Sequence, residues 1–243
     1  KGIVRYENEL WFLPSEAKRI YVLNLEDLQM QSLELPIEYQ ENKYKTGAYC
    51  AEGKYIWVLP FGTVHGFRID MQAKNMELLS NMGYFKNRKA SYMYCAKLGD
   101  KIAAVDKISG KLMFYDLRLG FSKFTELDLQ KNLSQEWGTL AYRDHFYLFS
   151  AEKVFLFDLQ MRLIEEKSLM RKEQGVDVLD YLTDGEDIWL SCYPDFILRW
   201  NLENDEITRY GLAHRKPVSG AAVLGEIRCG GLFQDDEKVY CLP

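Results

Sequence analysis

Residues 186–202, EDIWLSCYPDFILRWNL, are one copy of a unit that recurs along the chain. The segment 187–191 is short, aromatic and β-branched, Pro194 and Asp195 supply a turn, and an alternating segment follows over 196–202. This pattern predicts two adjacent antiparallel strands. Four similar pairs precede it, namely ELWFLP with RIYVLNL, YIWVLP with GFRIDM, KIAAVD with KLMFYDL, and FYLFS with KVFLFDL.

Two positions in each pair reveal the period of the repeat. The earlier strand carries an aromatic residue in every copy but the one with Ala103, and these aromatic residues are Trp11, Trp57, Tyr147 and Trp189. The later strand ends on an acid or amide, which is Asn24, Asp70, Asp116, Asp158 or Asn201. The acid or amide positions lie 46, 46, 42 and 43 residues apart. Repeats of this length predict a propeller or an array.

A further strand is predicted before and after each pair, so each unit contains four strands. Four short antiparallel strands per repeat, without helical periodicity, resemble the blades of a β-propeller. The aromatic position and the Asp/Asn-Leu ending are similar to the degenerate repeats of WD-repeat, kelch and quinoprotein-like propellers, and no specific family among them is identified. The resemblance implies an all-β propeller with four-stranded blades of about 46 residues.

The last segment of the sequence repeats only the first half of a unit. Residues 227–243, IRCGGLFQDDEKVYCLP, match the first two strands of the earlier copies. The chain therefore holds five full repeats and a half repeat. We expect six blades, with five or seven as the alternatives, in a single domain over residues 1–243 that belongs to a longer chain.

Composition excludes several classes of protein. Hydrophobic residues make up 47% and charged residues 28%, which is typical of a packed domain rather than a disordered chain. The net charge of −5 argues against nucleic-acid binding. No apolar run has the roughly 18 residues that a membrane span needs, so we expect a soluble module. Five cysteines without a CxxC pair favour a reducing compartment, and the localisation stays open.

No constellation of catalytic or metal-binding residues is evident. The three histidines, His65, His145 and His214, occupy different places in their units, which argues against a triad or a histidine metal site. We therefore predict no catalytic residue, no metal and no cofactor. The repeated Asp or Asn is interpreted as structural, with a side chain that ends the strand and shapes the next turn. Cys50 and Cys95 share one position of the repeat, either as small apolar residues or as a pair of thiols for a soft metal.

The connections between units carry the residues that are not repeated. Each connection contains at least one cation in a chain of negative net charge, which predicts a ring of positive potential around one mouth of a propeller channel. Nearby aromatic residues and a loop histidine add contact area. The predicted ligand-binding residues are Lys45, Lys86, Arg88, Lys89, Arg171, Lys172, Arg215, Lys216, His65, Tyr84 and Trp137.

Three functions follow from this pattern. The first is a non-enzymatic binding or scaffold module that recognises a protein or an anionic ligand, either a small molecule or a peptide, on the loop face around the channel mouth. The second is a propeller enzyme, a lyase or a carbohydrate-active hydrolase, with its site at that mouth. The third is a sensor domain of a larger bacterial signalling protein. The dense structural repetition and the lack of a catalytic constellation favour the first.

Overall fold

The computed structural model describes residues 2–42, 46–84, 88–125, 127, 138–150, 153–168, 177–184, 186–193, 196–211, 231–235 and 238–242. For residues 177–179, 184, 193, 231–235, 238 and 240–242 it describes the backbone alone. Within these ranges the chain is almost entirely β-structure, and the one helix is the single turn α1 (Ile37–Gln40). The predicted all-β class is confirmed.

The first three sheets are antiparallel meanders. The first contains β1 (Gly2–Tyr6), β2 (Glu9–Leu13), β3 (Arg19–Asn24) and β4 (Met30–Glu34). The second contains β5 (Tyr49–Glu52), β6 (Tyr55–Val58), β8 (Gly66–Asp70) and β9 (Asn75–Leu79). The third contains β10 (Ala90–Leu98), β11 (Lys101–Asp106), β12 (Lys111–Asp116) and β13 (Phe121–Phe124), and the short β7 (Phe61–Thr63) joins it as a fifth strand beside β10.

The remaining strands repeat this order. The fourth sheet contains β14 (Gly138–Tyr142), β15 (His145–Phe149), β16 (Lys153–Asp158) and β17 (Leu163–Ser168). The fifth contains β18 (Asp177–Asp184), β19 (Asp187–Tyr193), β20 (Phe196–Asn201) and β21 (Ile207–Gly211). The sixth is the hairpin β22 (Gly231–Asp235) and β23 (Lys238–Leu242). The five full repeats and the half repeat are thus confirmed as sheets, whereas the number of blades stays a prediction.

The chain divides into two compact units. The first takes its residues from Lys1–Leu133, Thr139–Tyr147 and Phe157–Arg162, and the second from Ser134–Gly138, Leu148–Leu156 and Leu163–Pro243. The single domain expected from the sequence stays a prediction.

The core of the first unit is built on both faces of the second sheet. Ile56 and Val58 of β6 lie in a buried cluster with Trp11 of the first sheet. Trp57, between them in sequence, lies in a different buried cluster with Tyr92 of the third sheet. Because side chains alternate across a strand, one segment serves both clusters. This double burial explains why β6 reads as a continuous apolar run rather than a polar and apolar alternation.

The acid or amide that ends each third strand has the structural role predicted for it. The carboxylate Oδ1 of Asp116 accepts the N–H groups of Arg118 and Leu119, both at 3.0 Å. Asn201 accepts two turn N–H groups with its amide oxygen in the same way. The equivalent side-chain oxygens of the other three copies also accept turn N–H groups, and they belong to Asn24, Asp70 and Asp158.

A second repeated bond fastens this turn to the first half of the sheet. The residue after the acid or amide donates its N–H to a carbonyl in the turn between the first and second strands. The bonds run from Leu25 to Asn8, from Met71 to Lys54, from Leu117 to Asp100 and from Leu202 to Glu186, with lengths of 2.7 to 2.8 Å. One end of these sheets is therefore closed by backbone hydrogen bonds that the Asp or Asn positions.

The repeated aromatic residues are buried with one exception. Trp11, Trp57 and Tyr147 are buried. Trp189 is only half-buried, because its ring stacks at 5.8 Å on Tyr210 of the outermost strand of its sheet, which is itself exposed. Tyr240 holds the aromatic position in the half repeat, and its side chain lies outside the described residues.

Two substitutions of Asp116 should distinguish the stability contributed by its hydrogen bonds from that contributed by its charge. Asp116→Ala removes the acceptor for two turn N–H groups and should lower the free energy of unfolding by about 1–3 kcal/mol. Asp116→Asn keeps the amide-type acceptor that Asn24 and Asn201 use, so it should cost less. Urea unfolding at neutral pH measures both, and equal losses would contradict the proposed role of the oxygen.

The same variants should differ in their dependence on pH. The pKa of Asp116 lies below 3.8, chiefly because the Lys101 ammonium binds the carboxylate. A carboxyl group whose pKa is lower in the folded than in the unfolded chain stabilises the fold when the pH is above its unfolded pKa. This stabilisation is lost as the pH falls through its folded pKa. Between about pH 5 and pH 3 the stability of Asp116→Asn should therefore fall less steeply than that of the unsubstituted protein. Parallel curves would contradict this.

Candidate functional site

In the first unit, the connections between sheets contact the turns between second and third strands. Thr46, which precedes β5, donates its hydroxyl to the carbonyl of Pro14 after β2. Thr63 pairs with Ala90 at the start of β10. Ser91 donates its N–H to Asp106 Oδ1 at the end of β11, at 2.9 Å. We call the surface formed by α1 and residues 61–65, 84, 88–91 and 106–109 the connection face.

Glu38 of α1 holds the turn that contains His65. Its Oε1 accepts the N–H of Val64 at 2.8 Å and that of His65 at 3.2 Å, and its Oε2 is 2.7 Å from His65 Nδ1. The pKa of Glu38 lies below its usual value, since burial, which raises it, is outweighed by the hydrogen bonds from His65 and Val64. The carboxylate is therefore charged near neutral pH and directed into the protein.

Tyr39 anchors α1 to the same turn. Its phenol donates to the carbonyl oxygen of His65 at 2.5 Å, and its ring contacts Phe67 edge-on with centroids 4.8 Å apart. Burial raises the pKa of Tyr39, so the phenol keeps its proton and remains a donor. The position of α1 is therefore fixed by one carboxylate and one phenol.

Asp106 has the corresponding role at the start of β10. Its Oδ1 accepts the N–H groups of Ser91 and Ile108, and its Oδ2 accepts the Ser109 hydroxyl at 2.7 Å. The side chain is buried. Both Glu38 and Asp106 thus use their oxygens on internal donors, and Glu38 is partly exposed whereas Asp106 is buried.

The outward side of the connection face is apolar and cationic. Ile37 is 80% exposed, Ile108 52% and Tyr84 42%, and the Tyr84 ring contacts Phe124 at 5.1 Å. The exposed cations of the same face are Arg88, Lys89 and Lys107.

Four of the residues predicted from the sequence lie in the segments that define the connection face, namely His65, Tyr84, Arg88 and Lys89. The imidazole of His65 binds Glu38, and a shared role of the four in binding stays a prediction. The other predicted residues lie outside the described part of the chain, and they are Lys45, Lys86, Trp137, Arg171, Lys172, Arg215 and Lys216. A complete cationic ring therefore stays a prediction.

Sequence reasoning missed the two exposed isoleucines. Ile37 follows Pro36 in a connection, and Ile108 lies in the turn DKISGK between β11 and β12. An aliphatic residue in a tight turn, where it has no strand neighbours, is the signal that would have identified Ile108.

Two features are absent from the described residues. These residues contain no group of three or more His, Cys, Asp or Glu side chains placed to hold a metal ion. They also contain no helix long and apolar enough to cross a membrane.

Comparison with known proteins identifies the fold and no family. No protein-family model matches the sequence, and a comparison with curated protein sequences finds no match. Among solved structures, virginiamycin B lyase from Staphylococcus aureus is similar with a TM-score of 0.68 and 12% identity, over 98% of this chain and 74% of the lyase. PorZ, a surface component of the type-IX secretion system of Porphyromonas gingivalis, is similar with a TM-score of 0.63 and 14% identity, over 99% of this chain and 29% of PorZ.

BamB from Moraxella catarrhalis is also similar, with a TM-score of 0.56 and 12% identity over 98% of this chain and 68% of BamB. These similarities, together with the successive four-stranded meanders, show that the chain has a β-propeller fold. Proteins with this fold include a lyase and a surface component of a bacterial secretion system, so the fold alone does not determine the function.

Removal of the Glu38 carboxylate should loosen the connection face. Glu38→Ala leaves three donors without their acceptor and should lower the free energy of unfolding by about 1–3 kcal/mol. Glu41→Ala is the matched control, since Glu41 is exposed at the end of the same helix and should change stability by less than about 0.5 kcal/mol. Urea unfolding of both variants tests this, and equal effects would show that Glu38 does not hold the turn.

Proposed function

We propose that this chain is a non-enzymatic binding or scaffold module that recognises a protein with its connection face. The observation that carries the proposal is the exposure of Ile37, Ile108 and Tyr84, which lie in the segments of the connection face, together with exposed cations of the same segments. Single exposed apolar residues are ordinary, but several on one surface with a charged border are typical of protein interfaces. A partner that covers these side chains would remove their apolar surface from water, and this burial is favourable by about 25 cal/mol per Å².

The charges of the connection face favour an acidic partner. Glu38 and Asp106 direct their oxygens to internal donors, whereas Arg88, Lys89 and Lys107 are exposed. Three exposed side chains of this surface are therefore cations, although the whole chain has a net charge of −5. Electrostatic complementarity speeds association and selects partners, so we infer a protein that presents acidic residues around an apolar centre.

The alternatives have weaker support. The enzyme hypothesis rests on the likeness to virginiamycin B lyase, which at 12% identity concerns the fold. The sensor hypothesis has no residue-level support in the described part of the chain. Recognition of a small anionic ligand lacks a described pocket of convergent donors, so a protein is the partner that the connection face fits best.

Photo-crosslinking can locate the binding surface. Benzoylphenylalanine is placed at Ile108 or Ile37, and at Leu119 as the control. Ile108 and Leu119 are both exposed aliphatic turn residues whose N–H binds an aspartate, and they lie at opposite ends of β12. In extracts of the source organism, positions 37 and 108 should capture the same protein and position 119 should not. Capture at 119 alone, or equal capture at all three, would contradict the proposal.

Charge reversal tests the polarity of the partner once it is purified. Arg88→Glu combined with Lys89→Glu should slow association roughly tenfold at low salt, and the difference should shrink as salt is raised. Arg118→Glu combined with Lys123→Glu makes the same change of net charge away from the connection face and should have little effect. Surface plasmon resonance at several salt concentrations measures the rates. Equal slowing by both pairs would indicate an effect of net charge rather than of this surface.

A further inference from the structure

The first strands of the second and third sheets approach each other closely within the first unit. Ala48, directly before β5, donates its N–H to the carbonyl oxygen of Tyr92 in β10 at 2.9 Å. A Cβ atom at Gly47 would lie 2.2 Å from the same oxygen. The absence of a side chain at Gly47 therefore permits the two backbones to meet at this point.

A bulge in β10 sets which side chains face each other beyond this contact. Tyr92 is opposite Asp106 and Cys95 is opposite Ala104, so three steps along β10 match two steps along β11. Cys50 lies two residues after Ala48 in β5. The extra residue in β10 brings Cys95 level with Cys50, on the side of its strand that also carries Tyr92.

The two thiols therefore lie side by side, because the backbone contact between Ala48 and Tyr92 and the bulge in β10 place Cys95 next to Cys50. Both cysteines are free and half-buried. Both pack against the apolar cluster that contains Trp57 and Ala104. The hydrogen bond to Cys50, with burial as the second cause, raises the pKa of Cys95 well above its usual value. Cys95 therefore holds its proton, so we assign the first attack on an oxidant to Cys50.

The surroundings favour a disulfide over a metal. No third His, Cys, Asp or Glu among the described residues completes a metal site at this pair. Two thiolates would place negative charge against an apolar cluster, which is costly without a compensating cation or donors. A disulfide is neutral and apolar, so its formation exchanges one weak thiol hydrogen bond for a covalent link that suits the same environment.

We propose that Cys50 and Cys95 are a redox-active dithiol, which a small disulfide of the glutathione class oxidises to an intramolecular disulfide that joins the second and third sheets. The Cys50 thiolate attacks one sulfur of oxidised glutathione, forms a mixed disulfide and releases one glutathione thiolate. Cys95 then passes its proton to the released glutathione thiolate, attacks the Cys50 sulfur and releases the second glutathione thiolate, which takes up from solvent the proton that Cys50 had lost. Two protein thiols are oxidised, and one oxidised glutathione is reduced to two glutathiones.

Cys192 provides an internal control. It is buried in β19, its thiol contacts the carbonyl of Leu190 at 3.8 Å, and burial raises its pKa to about 12. A thiol that remains protonated and is shielded from solvent exchanges slowly with disulfides. The same solution conditions therefore compare a paired, half-buried cysteine with an unpaired, buried one in one molecule.

The test uses the folded, reduced full chain in oxidised glutathione. Samples are quenched in acid, alkylated and mapped by mass spectrometry. We expect a linked peptide pair containing Cys50 and Cys95, formed with a mass loss of two hydrogen atoms, while Cys192 is alkylated. Cys95→Ser should stop the reaction at a Cys50–glutathione mixed disulfide. Cys50→Ser should leave Cys95 unmodified over the same time, and Cys192→Ser should not change the linked pair.

Oxidation should also raise the thermal unfolding midpoint by roughly 5–10 °C, because the link closes a long loop. The rise should disappear on reduction and be absent from Cys50→Ser. A stable mixed disulfide at Cys50 in the unsubstituted protein, with Cys95 still alkylated, would overturn the proposal. Modification of Cys192 at the same rate as Cys50 would overturn it as well, since it would indicate general unfolding.

Discussion

The hydrogen bond from the turn backbone to the Asp or Asn at the end of each third strand is the interaction on which the rest of the structure depends. A four-stranded meander must reverse direction after its third strand, and the reversal leaves N–H groups without strand partners. Asp116 and Asn201 satisfy two of them each. Once the reversal is fixed, the next residue bonds to the turn between the first two strands, so one end of the sheet is completed by its own backbone.

Because of this constraint, one end of each sheet is alike from repeat to repeat and the other end varies. At the repeated end, the same residue type recurs because the same backbone problem recurs. At the other end, the bonds differ from sheet to sheet. Glu38 holds one turn, Asp106 holds another, and β7 adds itself to a neighbouring sheet. The fold does not prescribe residues there, which leaves that end open to selection for binding.

The same division explains how far the sequence alone could predict the structure. The strands and the role of Asp116 follow from local rules, since alternation and a side-chain bond two or three residues along the chain are visible in a short window. The bond between Glu38 and His65 joins residues 27 positions apart and depends on where α1 lies, so no periodicity encodes it. The exposure of Ile37 is likewise a tertiary property. The half-burial of Trp189 depends on an exposed neighbour, Tyr210, which the repeat pattern does not distinguish.

Packing also limits where function can reside in this fold. The side chains of β6 are buried on alternate faces, with Ile56 and Val58 in one cluster and Trp57 in another, so the middle of the second sheet presents nothing to a partner. The residues available for binding or reaction therefore lie at the strand ends and on the first strands. His65 and Lys89 lie at strand ends, and Cys50 and Cys95 lie on first strands. The alignment of the two thiols further requires the bulge in β10, because without the extra residue Cys95 would face away from Tyr92 and from Cys50. A register shift also occurs in β18, the first strand of the fifth sheet, so the first strands of this fold accommodate the extra residue on which the alignment depends.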